Sequence, residues 1–598
     1  MRVLDDYLLL RKAFCHIPVD QPFQVAMQEL ADALYCSSRN AKLLLMKMME
    51  LQWIRFASGK GRGHMSLLTF CMDADELLLA QCKKYAENGR LEAAFVLLNR
   101  YANQHSSLKT TFLYWLTQYF GYQVADQAEA YRETLKLPIF RPIHTLDPAM
   151  AFYALDAHLI SQIFNTLLEY DHETDKFLPG IAHAWEANGA KTEWTFYLRK
   201  GIRFHHGREL TAADVIHSLR RLRNSPHKWL TNAIEEMTLL SNYLVRIQLN
   251  KPHSLFLHYL SYVPASIVPA DLYSLSVDAE LVQPVGSGAY RVAKRTSGQC
   301  VLTAYDHYFQ GRAHIDEIEL LQVPEDCGEM LLGKEPNLLL IRTGEERTTM
   351  PKTWEGRNGI FGATLCTFNL NKPGILQNRS FRQAMSKLLD RHQLVTELAG
   401  PSISPAYAFH PETKHAAADN AESKQMGQCL LQQSGYGGET LHLYTYHRHA
   451  PDARWLQREY EKQGIRLEIH IVPWIEMMRK ELVEQADLIL FEALLAEGIV
   501  RMIEYFQSSF SFIRQHADKS LLAFADHCIA ALLQESEPAI REAKLQILEE
   551  KISEEQAFLF LAYKTVDSLS HPSLKNVKLH PRGWVDFQKL WFQPQFDK

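Results

Sequence analysis

No apolar run in this chain approaches the roughly 20 consecutive residues that a bilayer-spanning helix needs, so a helical membrane protein is excluded and no membrane partner is expected. Cysteine is also scarce. The nine residues (Cys15, Cys36, Cys71, Cys82, Cys300, Cys327, Cys366, Cys429, Cys528) are odd in number and scattered, with no CxxC pair, so they offer neither a disulfide framework nor a zinc ribbon. They read as reduced, mostly buried thiols. The N-terminus, MRVLDDYLLLRKAFCHIPVD, has an apolar core of only Tyr7–Leu10 behind Asp5 and Asp6, and no small-residue cleavage site follows. It reads as a helix, and the expected location is cytoplasmic.

Catalytic signatures are missing too. There is no Gly-x4-Gly-Lys-Ser/Thr loop, no GxGxxG after a strand, no HExxH and no GxSxG. Gly286-Ser287-Gly288 lacks the spacing of a nucleophile elbow and reads as a hinge-proximal turn. The 26 histidines form no ligand pattern. His205 and His206 are adjacent and would point to opposite sides of a strand or turn, and His410-Pro411-Glu412-Thr413-Lys414-His415 reads as loop. Tyr444-Thr445-Tyr446-His447-Arg448-His449 reads as a strand end with one exposed basic face. The expectation is a non-enzyme with no catalytic residues, cofactor or metal.

What is present is ample material for buried cores, with 47% hydrophobic and 11% aromatic residues, and 22% charged residues, ordinary for a globular chain. The charge is uneven. Residues 1–70 hold nine Lys and Arg against six Asp and Glu, a net +3, and the remainder is −8. A small basic module on an acidic body points to the first module as the one that meets a polyanion.

That module reads as helices over Leu4–Phe14, Gln24–Tyr35 and Arg39–Leu51, then strands Trp53–Ser58 and Met65–Phe70 joined by Gly59-Lys60-Gly61-Arg62-Gly63-His64. Three helices followed by a basic hairpin form a winged helix-turn-helix. In the DNA-binding reading, Ser37, Ser38, Arg39, Asn40 and Lys42 at the start of the third helix reach phosphates or base edges of duplex DNA. Lys60, Arg62 and His64 on the wing contact the backbone or the minor groove. Because +3 is modest, a homodimer would add to affinity. Helices follow over Asp73–Asn88, Leu91–Asn103 and Leu108–Phe120, so residues 1–120 form one domain with a helical extension, and 121–134 read as a connector.

From Leu135 strands alternate with helices, the mark of an α/β architecture. Leu135–Arg141 reads as a strand and Tyr153–Glu169 as a helix. Thr192–Arg221 reads as an aromatic strand, a basic turn and a helix N-capped by Thr211. Several blocks, in order, resemble the family-5 extracytoplasmic solute-binding receptors. They are Thr145-Leu146-Asp147-Pro148 leading to Ile163–Asp171, then Leu178-Pro179-Gly180-Ile181-Ala182-His183-Ala184-Trp185, then 192–221. Gly286-Ser287-Gly288-Ala289-Tyr290, Phe368-Asn369-Leu370-Asn371 and Arg382-Gln383-Ala384 before Leu389-Asp390-Arg391 complete the set. Phe204–Leu210, Gly583-Trp584-Val585-Asp586-Phe587 with Trp591-Phe592, and Leu51-Gln52-Trp53-Ile54 with Ser66–Phe70 resemble a narrower family, the SgrR-type transcription regulators.

The resemblance implies a multidomain chain: an α-rich winged helix-turn-helix followed by a two-lobed α/β fold of the periplasmic-binding-protein type II class over 135–598. Lobe one is expected over 135–366 and 560–598 and lobe two over 367–559, with crossovers near Cys366–Leu370 and Phe558–Ala562. It further implies a cytoplasmic DNA-binding regulator that senses a small-molecule effector, a sugar phosphate or related metabolite. One departure bears on the ligand. Peptide receptors of the family carry Trp-x-Ala-Asp after the strand matching Ala486–Leu490, and this chain reads Leu494-Leu495-Ala496-Glu497. The peptide-ammonium anchor is therefore not carried over. Ligand contacts are expected from Tyr153, Phe368, Asn369, Glu492 and Glu497. The alternative is a cytoplasmic solute- or peptide-binding protein whose first module binds protein.

Overall fold

Apolar residues three and four apart drive the first helices, and the same spacing decides what they bury. In the computed structural model the helix Arg2–Ala13 sends Tyr7 and Leu10 inward, Met27–Ala33 sends Leu30 and Ala31, and Ser38–Glu50 sends Ala41, Leu45 and Met48. The structure describes residues 2–59, 65–101, 106–127, 130–172, 174–275, 283–324, 327, 339–341, 355–398, 403–409, 419–494, 498–570, 574–578 and 584–593. It divides into two units, residues 1–119 with the short segment 322–327, and the rest of the chain.

In the first unit a three-stranded antiparallel sheet runs in the order Phe23–Val25, Ser66–Phe70, Ile54–Ala57. The second helix was expected from Gln24. It begins at Met27, because Phe23–Val25 is drawn into ladder pairing with Ser66–Leu68. Tyr7 packs edge-on against Trp53 and Phe70, with centroids 5.6 and 5.8 Å apart. Its hydroxyl donates to the Met72 carbonyl at 2.6 Å, and burial pushes its pKa up to about 12. Helices Ala74–Glu87, Leu91–Tyr101 and Ser106–Tyr119 complete the unit, the first N-capped by Asp73.

The second unit is α/β. A five-stranded sheet runs in the order Tyr290–Arg295, Gln299–Ala304, Glu317–Gln322, Ala130–Ile139, Gly121–Gln127. The expected connector 121–134 is thus a β-hairpin, Gly121–Gln127 on Ala130–Ile139, built into this sheet. Lys136 helps to hold it through an ion pair to Glu319 at 3.6 Å. A four-stranded sheet runs Ile234–Ser241, Leu244–Leu249, Glu193–Leu198, Ala182–Ala187 and is covered by the helix Ala212–Leu222. Thr211 and Asp214 close a capping box at that helix's start, as the sequence reading expects of Thr211. The helix expected over Tyr153–Glu169 stops at Ile163, where Phe164 turns extended and Leu168–Asp171 forms a strand.

The largest sheet has seven strands, in the order Leu339–Ile341, Phe558–Ser570, Glu355–Phe368, Leu488–Leu494, Thr440–Thr445, Arg466–Ile471, with Ile403–Pro405 pairing to Phe558–Ser570. Both expected crossovers, Cys366–Leu370 and Phe558–Ala562, fall in its centre, where Cys366 faces Leu559 and Thr367 faces Phe558. The two long strands Glu355–Phe368 and Phe558–Ser570 pair with one another there. Lobe one consists of the five- and four-stranded sheets, and the C-terminal Val585, Phe587 and Leu590 return to the core of the five-stranded sheet. At the turn 286–288, a Cβ on Gly286 would stand 2.0 Å from the Ile163 carbonyl oxygen and one on Gly288 2.4 Å from that of Gln162. Only glycine permits that approach.

Candidate nucleic-acid interface and ligand cleft

The third helix is capped by Ser37, whose hydroxyl accepts from the Asn40 N–H at 3.4 Å. Ser38 Oγ donates to Gln28 Oε1 at 3.2 Å, so it fastens the third helix to the second. Arg39, Asn40 and Lys42 are exposed. With Ala41, Leu45 and Met48 inward, Arg39, Lys42, Leu43, Met46 and Lys47 form the outward face. No acidic residue stands in the first turn, so the helix dipole and the side chains there share one sign and favour an anion. Lys60, Arg62 and His64 lie outside the described residues.

In the second unit, residues from both lobes meet at one cluster. Lobe one supplies Arg141, at the end of the strand Ala130–Ile139, and Tyr153, just before the helix Ala154–Ile163. The Arg141 guanidinium donates to the Tyr153 hydroxyl and lies 5.4 and 5.1 Å from the ring centres of Tyr153 and lobe two's Tyr446. Trp474 of lobe two is 5.6 Å from Tyr153 and 5.0 Å from Tyr446. Burial raises the Tyr153 phenol, with Arg141 opposing it. Next to these rings Glu492, buried on the strand Leu488–Leu494, pairs with Arg448 at 3.4 Å. Burial would raise its carboxyl, but the charges of Arg448, Lys564 and Arg141 together hold it below the usual range.

Lys564 reaches Asp452 at 3.2 Å and His449 Nδ1 at 3.4 Å. Burial, then the Lys564 charge, lowers His449 to about 4, so it is neutral at pH 7. The exposed basic face expected at Tyr444–His449 is therefore not formed. His449 is fully buried, Arg448 is turned to Glu492, and of the three basic residues only His447 is exposed. Two polar atoms of the cluster's floor, Glu492 Oε1 and Thr364 Oγ1, are buried without a hydrogen-bond partner among the described residues. Thr364 lies directly opposite Glu492 in the ladder, so both side chains leave the same face. Such a pair is stable when a polar group is brought to it.

Of the five ligand residues expected from sequence, Tyr153 and Glu492 stand in this cluster. Phe368 and Asn369 do not. Phe368 is a core residue at 1% exposure. The Asn369 amide donates to the carbonyls of Ala486, Glu484 and Val483 at 2.9, 3.3 and 3.4 Å, and its oxygen accepts from Asn371 N–H. Both hold lobe two together. Glu497 lies outside the described residues, as do 410–415. Sequence reasoning missed Arg141, Thr364, Tyr446, Trp474 and Lys564, which come from separate segments. The one available signal was the density of Tyr, His and Arg over 444–449.

Comparison with known proteins gives the fold its lineage. The family model for the N-terminal domain of sugar transport-related sRNA regulators matches residues 2–119, and that for the middle region of bacterial extracellular solute-binding proteins, family 5, matches 176–494. An uncharacterized protein, YhjP, of Bacillus subtilis is 30% identical over 99% of this chain and 100% of its own length. The HTH-type transcriptional regulator SgrR of Yersinia enterocolitica is 26% identical over 99% of both chains. Among solved structures, the murein tripeptide-binding protein MppA of Escherichia coli superposes with a TM-score of 0.65 at 19% identity, covering 79% of this chain and all of its own. The oligopeptide-binding protein AppA of Bacillus subtilis gives 0.65 at 17% identity over 77% and 99%. A winged module capped at Ser37 and a two-lobed α/β receptor fold are thus present in one polypeptide, and the chain belongs to the SgrR-type transcription regulators, an SgrR N-terminal domain joined to a family-5 solute-binding domain.

Proposed function

We propose that residues 1–119 bind duplex DNA through the face of the helix Ser38–Glu50, and that the two-lobed domain binds a small polar effector whose occupancy changes operator binding. A cytoplasmic location follows from DNA as the partner. The observation that carries the reading is the interlobe cluster. Arg141 and Tyr153 of one lobe meet Tyr446, Trp474, Arg448 and Glu492 of the other, so a ligand held there touches both lobes and favours the closed arrangement. A ligand coupling of about 1–3 kcal/mol changes operator occupancy several-fold or more. The unpartnered Thr364 hydroxyl and Glu492 oxygen suit the hydroxyls of a sugar, and the guanidinium groups of Arg141 and Arg448 suit an anionic group such as a phosphate. We read the effector as a sugar phosphate or a related metabolite. A homodimer would raise the affinity of a module whose net charge is small.

The test is a salt-titrated gel shift of the full chain on its own upstream DNA. Arg39→Ala and Lys42→Ala each lower the slope of log K against log salt by about 0.9 if they meet phosphates. Salt-insensitive binding, or slopes equal to the parent's, overturns the DNA reading. A second reading, a protein-binding first module, is favoured by Leu43 and Met46, which are 54% and 47% exposed on the same helix face. Leu43→Ser and Met46→Ser separate the two, since they leave the salt slope unchanged and abolish a protein contact.

A further inference from the structure

We propose that His442, Glu468 and His470 form a site for one divalent transition-metal ion of the zinc, nickel or copper class on lobe two, separate from the interlobe cluster. The strands Thr440–Thr445 and Arg466–Ile471 are parallel neighbours at the edge of the seven-stranded sheet, with His442 opposite Glu468 and Tyr444 opposite His470. Alternate residues of a strand share a face, so the register puts all three donors on one side. Their donor atoms converge within 4.8 Å of one another, and all three residues are partly or wholly exposed, so an ion has a path in. The intervening helix Ala450–Glu461 separates the donors in sequence, and no spacing motif announces them.

Protonation alone does not satisfy the atoms that converge. His442 Nδ1 lies 3.0 Å from His470 Nε2, so one of the two nitrogens must be bare if the pair is hydrogen-bonded. The same two nitrogens also face the Glu468 carboxylate, at 3.7 and 3.5 Å respectively. A single N–H between the rings leaves neither nitrogen a proton for that carboxylate, and protonating both rings sets two cations 3.0 Å apart. A divalent cation between the three lone-pair donors removes the conflict. Ligands at 2.0–2.1 Å around a tetrahedral ion stand ~3.3 Å from one another; here the two nitrogens are 3.0 Å apart, His442 Nδ1 is 3.7 Å from Glu468 Oε2 and His470 Nε2 is 3.5 Å from Glu468 Oε1, each close to that spacing.

Two imidazoles and a carboxylate suit zinc, nickel or copper, whereas calcium and magnesium favour all-oxygen shells. The His470 ring is held by the Tyr444 ring stacked on it, centroids 4.4 Å apart at 19°. Three protein ligands leave a coordination position for water or for a group from a partner molecule. The bound ion ties the edge strand Arg466–Ile471 to its neighbour.

The experiment uses the full chain stripped with chelator and titrated with Zn2+ against a chromophoric indicator, and separately with Co2+ read by its visible absorption. One equivalent is expected at this site. His442→Ala and His470→Ala each weaken it at least tenfold, Glu468→Gln weakens it less, and His447→Ala leaves it unchanged. Circular dichroism and melting of the metal-free variants, all at partly exposed positions, confirm that each is folded. Absence of a stoichiometric site, or a site whose affinity survives both histidine substitutions, overturns the proposal.

Discussion

Glu504→Gln tests how the two lobes are held together. Glu504, on the helix Gly498–Gln507 of lobe two, is fully buried and accepts from the Tyr262 hydroxyl of lobe one at 2.6 Å. Arg501 pairs with the same carboxylate, and its guanidinium lies 5.3 Å from the ring centre of lobe one's Phe152. Lobe one's His227 Nδ1 is 3.3 Å from the other oxygen. Burial would raise this carboxyl, but Arg501, His227 and Tyr262 outweigh it and hold the pKa at about 2 against an ordinary 4.5. A folded-state pKa below the unfolded value stabilises above pH 4.5, and the contribution is lost as pH falls from there toward 2. The difference corresponds to about 3 kcal/mol.

Gln keeps the shape but leaves the Arg501 charge buried without its counter-charge, which costs about 3–5 kcal/mol by an independent route. In a unit of several hundred residues, at roughly 2.1 cal/mol/K per residue, that lowers the melting temperature by about 3–5 °C. Calorimetry at pH 7 reads the gap between the parent and E504Q, and repeating it at lower pH shows the gap falling to roughly half by about pH 3. Small-angle scattering of the ligand-free variant should show a larger radius of gyration, because the lost contacts bridge the lobes. A melting temperature within about 1 °C of the parent at pH 7, or a gap that ignores pH, would refute the reasoning.

Three further outcomes follow from buried groups. Gly286→Ala drives a methyl into the Ile163 carbonyl at 2.0 Å and should abolish soluble expression, whereas Gly298→Ala, with nothing within 4 Å, should express and melt as the parent. Lys564→Met leaves the buried Asp452 carboxylate uncompensated and should cost about 3–5 kcal/mol in chemical denaturation; a loss under about 1 kcal/mol would show the pair to be dispensable. Arg221→Lys cannot repeat the two-pronged pairing with the buried Asp147 or the 2.9 Å bond to the Ser274 carbonyl. It should cost about 2–4 kcal/mol, and an unchanged midpoint would count against a role for fork geometry.

The winged module was legible because each of its parts has a local signal: helical spacing in 38–50, a serine cap at Ser37, glycines between two short strands. What escaped depended on distant partners. Gln24–Val25 reads as the start of a helix until Ser66–Leu68 is available to pair with Phe23–Val25. Residues 121–134 read as a connector until Glu317–Gln322 lies alongside Ala130–Ile139 and ion pairs such as Arg132–Glu317 and Lys136–Glu319 form. Phe368 and Asn369 were placed in the cleft because a crossover was expected there. The central strands of the seven-stranded sheet occupy that place, where Phe368 packs in the core and the Asn369 amide bonds to the carbonyls of Val483, Glu484 and Ala486.

The recognised receptor blocks have a common structural role that bears on ligand choice. Asp147 of one block pairs with Arg221 of another, the His205 N–H donates to the Gly286 carbonyl at 2.8 Å, and Ser287 Oγ donates to Asn165 Oδ1 at 3.0 Å. Each is a joint between blocks, within lobe one. The cluster residues Arg141, Tyr153, Tyr446, Arg448, Trp474, Glu492 and Lys564 all lie outside the recognised blocks. The blocks therefore secure the fold of lobe one, and in the proposed reading ligand choice rests on residues between them. Exchanging Arg141 and Trp474 should alter effector choice at little cost to folding, whereas exchanging Asp147 or Gly286 should do the reverse.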